Sequence, residues 1–316
     1  MYKPFFPIGA VVLTVALAAT SVPAQATVHS IPLDITHGKP FVMVMVNGKG
    51  PFRFVVDTGT GGEAFITSEL AEQLGLPVAG RVRLNDPSGR GGQKVPMVLI
   101  QSLRVAGVEF TGVNAAVHNL TGGDGYCQGL LGFPLFRDYL LTLDYPNRRM
   151  QLGSGELASD GGRSVLPFRM PDGIPVVRMA VGETTIEAQI DSGGAGLSLP
   201  LHLTSKLRFS SNSASLSNAE SLSTRFLVRG ASLASDIRIG SYTFKHPFVE
   251  INPAFPLANF GSCPMQNFVL TFDQKNGLVR FAADRHTLHL SPTPEPVRLV
   301  NAPAGHPPDL TLVPVG

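Results

Sequence analysis

The chain has 316 residues, a formal net charge of +2, 34 Gly, 26 Pro and no Trp. So small a charge gives no electrostatic basis for binding nucleic acid or an anionic membrane surface. Short runs of Val, Ile, Leu and Phe broken by frequent Gly and Pro favour an all-β fold, and the length suits two domains that each bury a core.

At the start, Lys3, the apolar run Ile8 to Val22 and the small-x-small Ala24-Gln25-Ala26 read as an export signal over residues 1–26. Its 15 residues, closed by Pro23, fall short of the roughly 20 that span a bilayer. No Cys precedes Cys127 to carry a lipid. The expectation is a periplasmic or secreted protein without a stable membrane anchor.

Lys39 to Val46 reads as a strand that meets a turn at Asn47-Gly48-Lys49-Gly50-Pro51, with Phe52 to Val56 as the return strand. The return strand ends at Asp57-Thr58-Gly59. A strand at Ala64-Phe65-Ile66 and a short helix from Glu69 to Leu74 follow, with Ser68 as N-cap and Gly75 as stop. Arg81 to Leu84 and Val95 to Ile100 flank a Gly-rich hairpin tip that includes Ser88, Gly89, Arg90, Gly91 and Gly92. That tip is a candidate flap over an extended substrate, or simply an exposed loop. Leu103 to Phe110 reads as another hairpin. Leu130-Leu131-Gly132 reads as a buried strand crossing behind the turn at Asp57, its Gly permitting close backbone packing. Tyr139 to Asp144 and Arg149 to Leu152 form a strand pair.

The second half follows the same order. Ile174 to Val181, a turn at Gly182 to Thr185, and Ile186 to Ile190 deliver Asp191-Ser192-Gly193, 134 residues after the first triplet. A short helix is expected after Pro200. Ile237 to Phe244 echoes Leu103 to Phe110. Phe268 to Asp273 echoes Tyr139 to Asp144 at an offset of 129, and Gly261 echoes Gly132 at the same offset. An internal duplication is the economical reading, giving two lobes about a pseudo-twofold axis that brings equivalent turns together. The predicted boundaries are 1–26 signal, 27–158 first lobe, 159–288 second lobe and 289–316 a Pro-rich tail.

A carboxylate at the end of a buried strand is costly to ionise alone. Two brought together share one proton, leaving one an acid and the other a base, which suits activating a water against an amide carbonyl; aspartic proteases work through such a pair. In this reading Thr58 and Ser192 offer hydroxyls that hold the two turns in register, and Gly59 and Gly193 allow the sharp turn.

These motifs together resemble a bilobal aspartic peptidase of the retropepsin and pepsin clan, closer to its bacterial retropepsin-like members. The resemblance covers roughly residues 38 to 153 and 172 to 282. It implies Asp57 and Asp191 as catalytic dyad, Thr58 and Ser192 as interlocking hydroxyls, and Leu130, Leu131, Gly132, Phe260 and Gly261 as supporting residues. A polypeptide substrate is expected, with no cofactor and no metal, in a monomeric pseudo-dimer. Three features depart from the pattern: Asn259 stands where the first lobe has Leu130, Gly-rich stretches follow both triplets, and the flap candidate has no Tyr. The alternatives are an exported peptide-binding protein with little or no catalysis, and a structural envelope protein.

Cys127 and Cys263 lie near the supporting turns, and the sequence leaves open whether they pair or stay as thiols. The eight His show no metal-ligand spacing.

Overall fold

The computed structural model describes residues 28–85, 92–119, 127–210, 214–220 and 225–290. The predicted export signal, residues 86–91 around the flap candidate and most of the Pro-rich tail lie outside them. The described chain is mostly β-strand arranged in three sheets.

Strand Lys39–Val46 turns at Asn47 and Gly48, both with positive φ (49° and 74°), and pairs with Lys49–Asp57. The turn is therefore two residues long, and the return strand begins three residues before the predicted Phe52, because Asn-Gly already satisfies the twisted hairpin geometry. Helix Ser68–Leu74 is capped by Thr67, whose Oγ1 accepts from Leu70 N at 3.2 Å, and stops at Gly75 with φ 64°. The cap is thus one residue earlier than predicted: Thr67 keeps extended backbone while Ser68 is already helical.

The sheet of the first half runs Asp34–Thr36, Lys39–Val46, Lys49–Asp57, Gly129–Gly132, Ala64–Ile66, Val108–Val117, Gly92–Val105, Val78–Asn85. In the second half, Val176–Val181, Thr184–Asp191, Ala258–Gly261, Leu197–Pro200, Phe248–Asn252, Arg225–Ser232 and Ala214–Glu220 neighbour one another in the matching order. Relative directions match too. The strand that ends at each Asp is parallel to the crossing strand behind it, which is antiparallel to the short strand after the triplet. Leu197–Pro200 is such a short strand and was not predicted. It precedes a 3-10 helix at Leu201–Lys206, with Pro200 as cap rather than first-turn residue.

A third sheet draws on both halves, in the order Val28–Pro32, Arg149–Gly153, Leu140–Asp144, Val269–Asp273, Leu278–Ala282, Val165–Pro167. At its centre Thr142 faces Thr271, hydroxyl to hydroxyl at 3.0 Å. These are the two residues that correspond at the offset of 129, and a residue meets its own counterpart only at a twofold axis. One buried cluster joins the halves, with Phe133 and Phe272 edge-to-face at 5.2 Å. Cys127 and Cys263 are not joined by a disulfide.

Candidate active site

Along Lys49–Asp57, Phe54 and Val56 are fully buried in the core, while Arg53, Val55 and Asp57 take the other face. Asp57 lies beside Gly132 of the crossing strand, and Asp191 beside Gly261. The crossing strands also hold the loops that follow each triplet. Gly132 N donates to Glu63 O (2.9 Å) and Phe133 N to Thr60 O (3.1 Å), matched by Gly261 N to Gly196 O (3.0 Å) and Ser262 N to Gly194 O (2.8 Å). Leu131 and Phe260 are fully buried in the core; Leu130, 8 % exposed, is on the face that bears Asp57.

The triplets interlock. Thr58 Oγ1 donates to Ile190 O at 2.7 Å and accepts from Ser192 N at 2.9 Å; Ser192 Oγ donates to Val56 O at 2.6 Å and accepts from Thr58 N at 3.0 Å. Both side chains are fully buried. Each triplet therefore satisfies the backbone of the other, which fixes the two turns against each other. A Cβ on Gly193 would stand 2.4 Å from Asp57 Cγ, and one on Gly59 2.3 Å from Asp191 Oδ1. Each carboxyl thus occupies the space that a side chain on the opposite triplet would need.

Donors converge on both carboxyls. Asp57 Oδ1 accepts from Gly59 N (2.9 Å) and Oδ2 from Thr60 Oγ1 (3.0 Å). Asp191 Oδ1 accepts from Gly194 N (2.9 Å) and Oδ2 from Asn259 Nδ2 (2.9 Å). Burial, and then the nearby negative charge of Asp191, raise the pKa of Asp57 to about 7, against the pull of Thr60, Lys39 and the Gly59 N–H. Burial and the neighbouring carboxyl thus favour one proton held by the pair, which is the condition for an acid and a base to stand side by side.

Asn259 is the site residue that sequence reasoning missed. It occupies the position of Leu130, and its amide does for Asp191 what Thr60 does for Asp57. The residue equivalent to Thr60 is Gly194, and a Cβ there would stand 2.4 Å from Asn259 Nδ2. The loss of a hydroxyl at one position and the gain of an amide at another are thus one compensated change. The other Gly-rich stretch has a packing reason too: Gly61 lies against Asp172 O, 1.9 Å from where its Cβ would be. Near the two carboxyls, buried Tyr145 accepts from Ser262 Oγ (3.2 Å) and donates to Met265 Sδ (3.5 Å). Burial above all holds its phenol neutral, far above its ordinary pKa.

Of the flap candidate, only Gly92 is among the described residues. It opens the strand Gly92–Val105 with φ 133°, and a Cβ there would be 2.5 Å from Leu84 O. Ser88, Gly89, Arg90 and Gly91 lie outside them. The hairpin below the tip, Val78–Asn85 with Gly92–Val105, is longer than predicted and packs through Leu84 and Val95 on Ala116 and Phe65.

Residues 42–135 match the model of a family described as aspartyl protease. That span contains Asp57-Thr58-Gly59 and Leu130-Leu131-Gly132. No curated protein matches the chain.

Proposed function

We propose, from the aspartyl protease match over residues 42–135, that this chain is an aspartic endopeptidase whose dyad is Asp57 and Asp191. The single observation that carries the proposal is the reciprocal interlock of Thr58 and Ser192, which sets each carboxyl against the glycine of the other triplet. A peptide-binding protein without catalysis has no need of two carboxyls set against each other, each with its own pair of donors. The features that favoured it, Asn259 and the Gly-rich loops, have packing and hydrogen-bonding roles at the site.

In the proposed reaction Asp57 carries the shared proton and Asp191 is the base. Asp191 takes a proton from a water held between them while the water oxygen bonds to the scissile carbonyl carbon, and Asp57 gives its proton to the carbonyl oxygen. The resulting gem-diol collapses: its C–N bond breaks, Asp191 returns a proton to the leaving amine, and Asp57 recovers one from a diol hydroxyl. Atoms and protons balance without a cofactor. Export to the periplasm or outside the cell, through residues 1–26, belongs to the same proposal.

Two outcomes are expected. Asn259→Leu, which copies the first lobe, removes a donor from a carboxylate. Such bonds contribute roughly 1.5–3 kcal/mol, so kcat/KM should fall by about tenfold to a hundredfold with the fold retained. Steady-state kinetics beside circular dichroism checks this; unchanged kinetics would remove Asn259 from the site.

The second concerns pH. The pKa of Asp57 is raised from 3.8 to about 7, so the folded protein binds this proton more tightly than the unfolded chain. The stability it contributes is full below about pH 4 and is lost as pH rises through about 7. Activity that needs the protonated form should fall over the same alkaline limb. The stability change is up to roughly 4 kcal/mol and should be absent in Asp57→Asn. The difference in denaturation free energy between the two proteins, followed from pH 4 to 8, isolates it from carboxylates such as Asp236, whose pKa is lowered by Lys245.

A further inference from the structure

Residues two apart on a strand share a face, so the residue two before each Asp lies on the Asp's own side of the sheet. In the first half that residue is Val55. The cross-strand row through it runs Phe41, Val55, Leu130, Phe65, Ala116. The row is apolar throughout, and Phe41, Val55 and Leu130 pack with Phe65 as a cluster separate from the main core. The corresponding row of the second half runs Val176, Gln189, Asn259, Ser198, Glu250. All but Val176 are polar.

Two of these polar residues are more than nine-tenths buried, Ser198 at 6 % and Asn259 at 8 % exposed. Asn259 gives its Nδ2 to Asp191, and its buried Oδ1 has no hydrogen-bond partner. Buried polar atoms are rarely left so. Glu250 brings a carboxylate to the loop after Asp191: a Cβ on Gly196 would stand 2.3 Å from its Oε1. The second row is therefore polar and holds a buried acceptor without a partner, Asn259 Oδ1, while the first has no polar side chain to offer. The rows flank the dyad from opposite lobes, so a peptide laid across Asp57 and Asp191 presents one residue beside the scissile bond to each.

We infer that the cleft is chemically sided. On the peptidase reading above, the substrate carries a bulky apolar side chain over the first row, and over the second a side chain that donates hydrogen bonds, such as Lys, Arg, Gln or Asn. An apolar group over the second row leaves Asn259 Oδ1 buried without a donor, and sites of that kind reject analogues that lack the donor. The substrate class is thus a polypeptide cut between an apolar and a donor-bearing residue, rather than between two apolar ones.

The test uses peptides identical except at the two positions flanking the cut: Phe-Phe, Phe-Lys, Lys-Phe, Phe-Gln and Gln-Phe. Cleavage is measured with the wild type, and binding by calorimetry with Asp57→Asn, which does not consume the peptide. One order of the mixed pairs should exceed Phe-Phe in kcat/KM by about tenfold or more. The double substitution Gln189→Val with Glu250→Ala, which copies Val55 and Ala116, should shift the preference to Phe-Phe. Phe-Phe cut as well as the best mixed peptide, or a ranking unmoved by the double substitution, would overturn the inference. If no peptide is cut, the peptidase reading fails; the binding ranking then still decides, a mixed preference upholding the sided cleft and an equal affinity for all five overturning it.

Discussion

Asp57→Asn and Asp191→Asn are each expected to lower peptide cleavage by about a thousandfold or more while leaving the fold intact. Positioned proton transfer alone contributes about a hundredfold to ten-thousandfold, and here one group supplies the acid and the other the base for the same water. An amide in place of either carboxyl keeps the shape and an acceptor for one of its two donors but can neither take nor return the proton. The two losses should also fail to add in the double variant, because once one member of a unit is gone the other has nothing left to do. Single-turnover cleavage assays, with near-ultraviolet circular dichroism as the fold control, measure both points. Residual activity above about a tenth of wild type in either variant would break the shared-water scheme.

The interlock should dominate stability. Thr58→Val leaves Ile190 O without its donor and Ser192 N without its acceptor; Ser192→Ala does the same to Val56 O and Thr58 N. A buried polar group left unpaired costs about 1–3 kcal/mol, so each substitution should destabilise by roughly 2–5 kcal/mol. The double variant should lose less than the sum, since both hydroxyls belong to one network. Urea denaturation of the three variants at a single pH measures the coupling. Losses that simply add would mean that the two triplets act independently.

The parts of the site that depend on one stretch of chain were legible in the sequence. The apolar strands ending at Asp57 and Asp191 are visible because strand, carboxylate, hydroxyl and Gly are contiguous, and Leu130-Leu131-Gly132 is visible because an apolar pair ending in Gly needs a buried crossing strand. The matching of Tyr139 to Asp144 with Phe268 to Asp273 anticipated two strands that meet residue by residue at Thr142 and Thr271. What the sequence hid depends on long-range juxtaposition. Asn259 reads as a polar intruder in a buried strand until Gly194 is seen to leave the room for its amide to reach Asp191, 68 residues away. Strand Leu197–Pro200 hides because Ser198, at 6 % exposure, breaks an apolar pattern that the row of polar neighbours explains. Local chemistry also misled at Ser68, a good capping residue by type, where the extended backbone needed for a cap belongs to Thr67.

The measurement that tests the central claim most directly is cleavage of an unstructured polypeptide by the purified protein, followed from pH 3 to 8, beside Asp57→Asn and Asp191→Asn with folding verified for all three. Turnover by the wild type should decline through about pH 7, where Asp57 loses its proton, and neither variant should show comparable turnover. A folded wild type that cuts no polypeptide anywhere in that range, or a variant that cuts as fast as the wild type, would contradict the shared dyad.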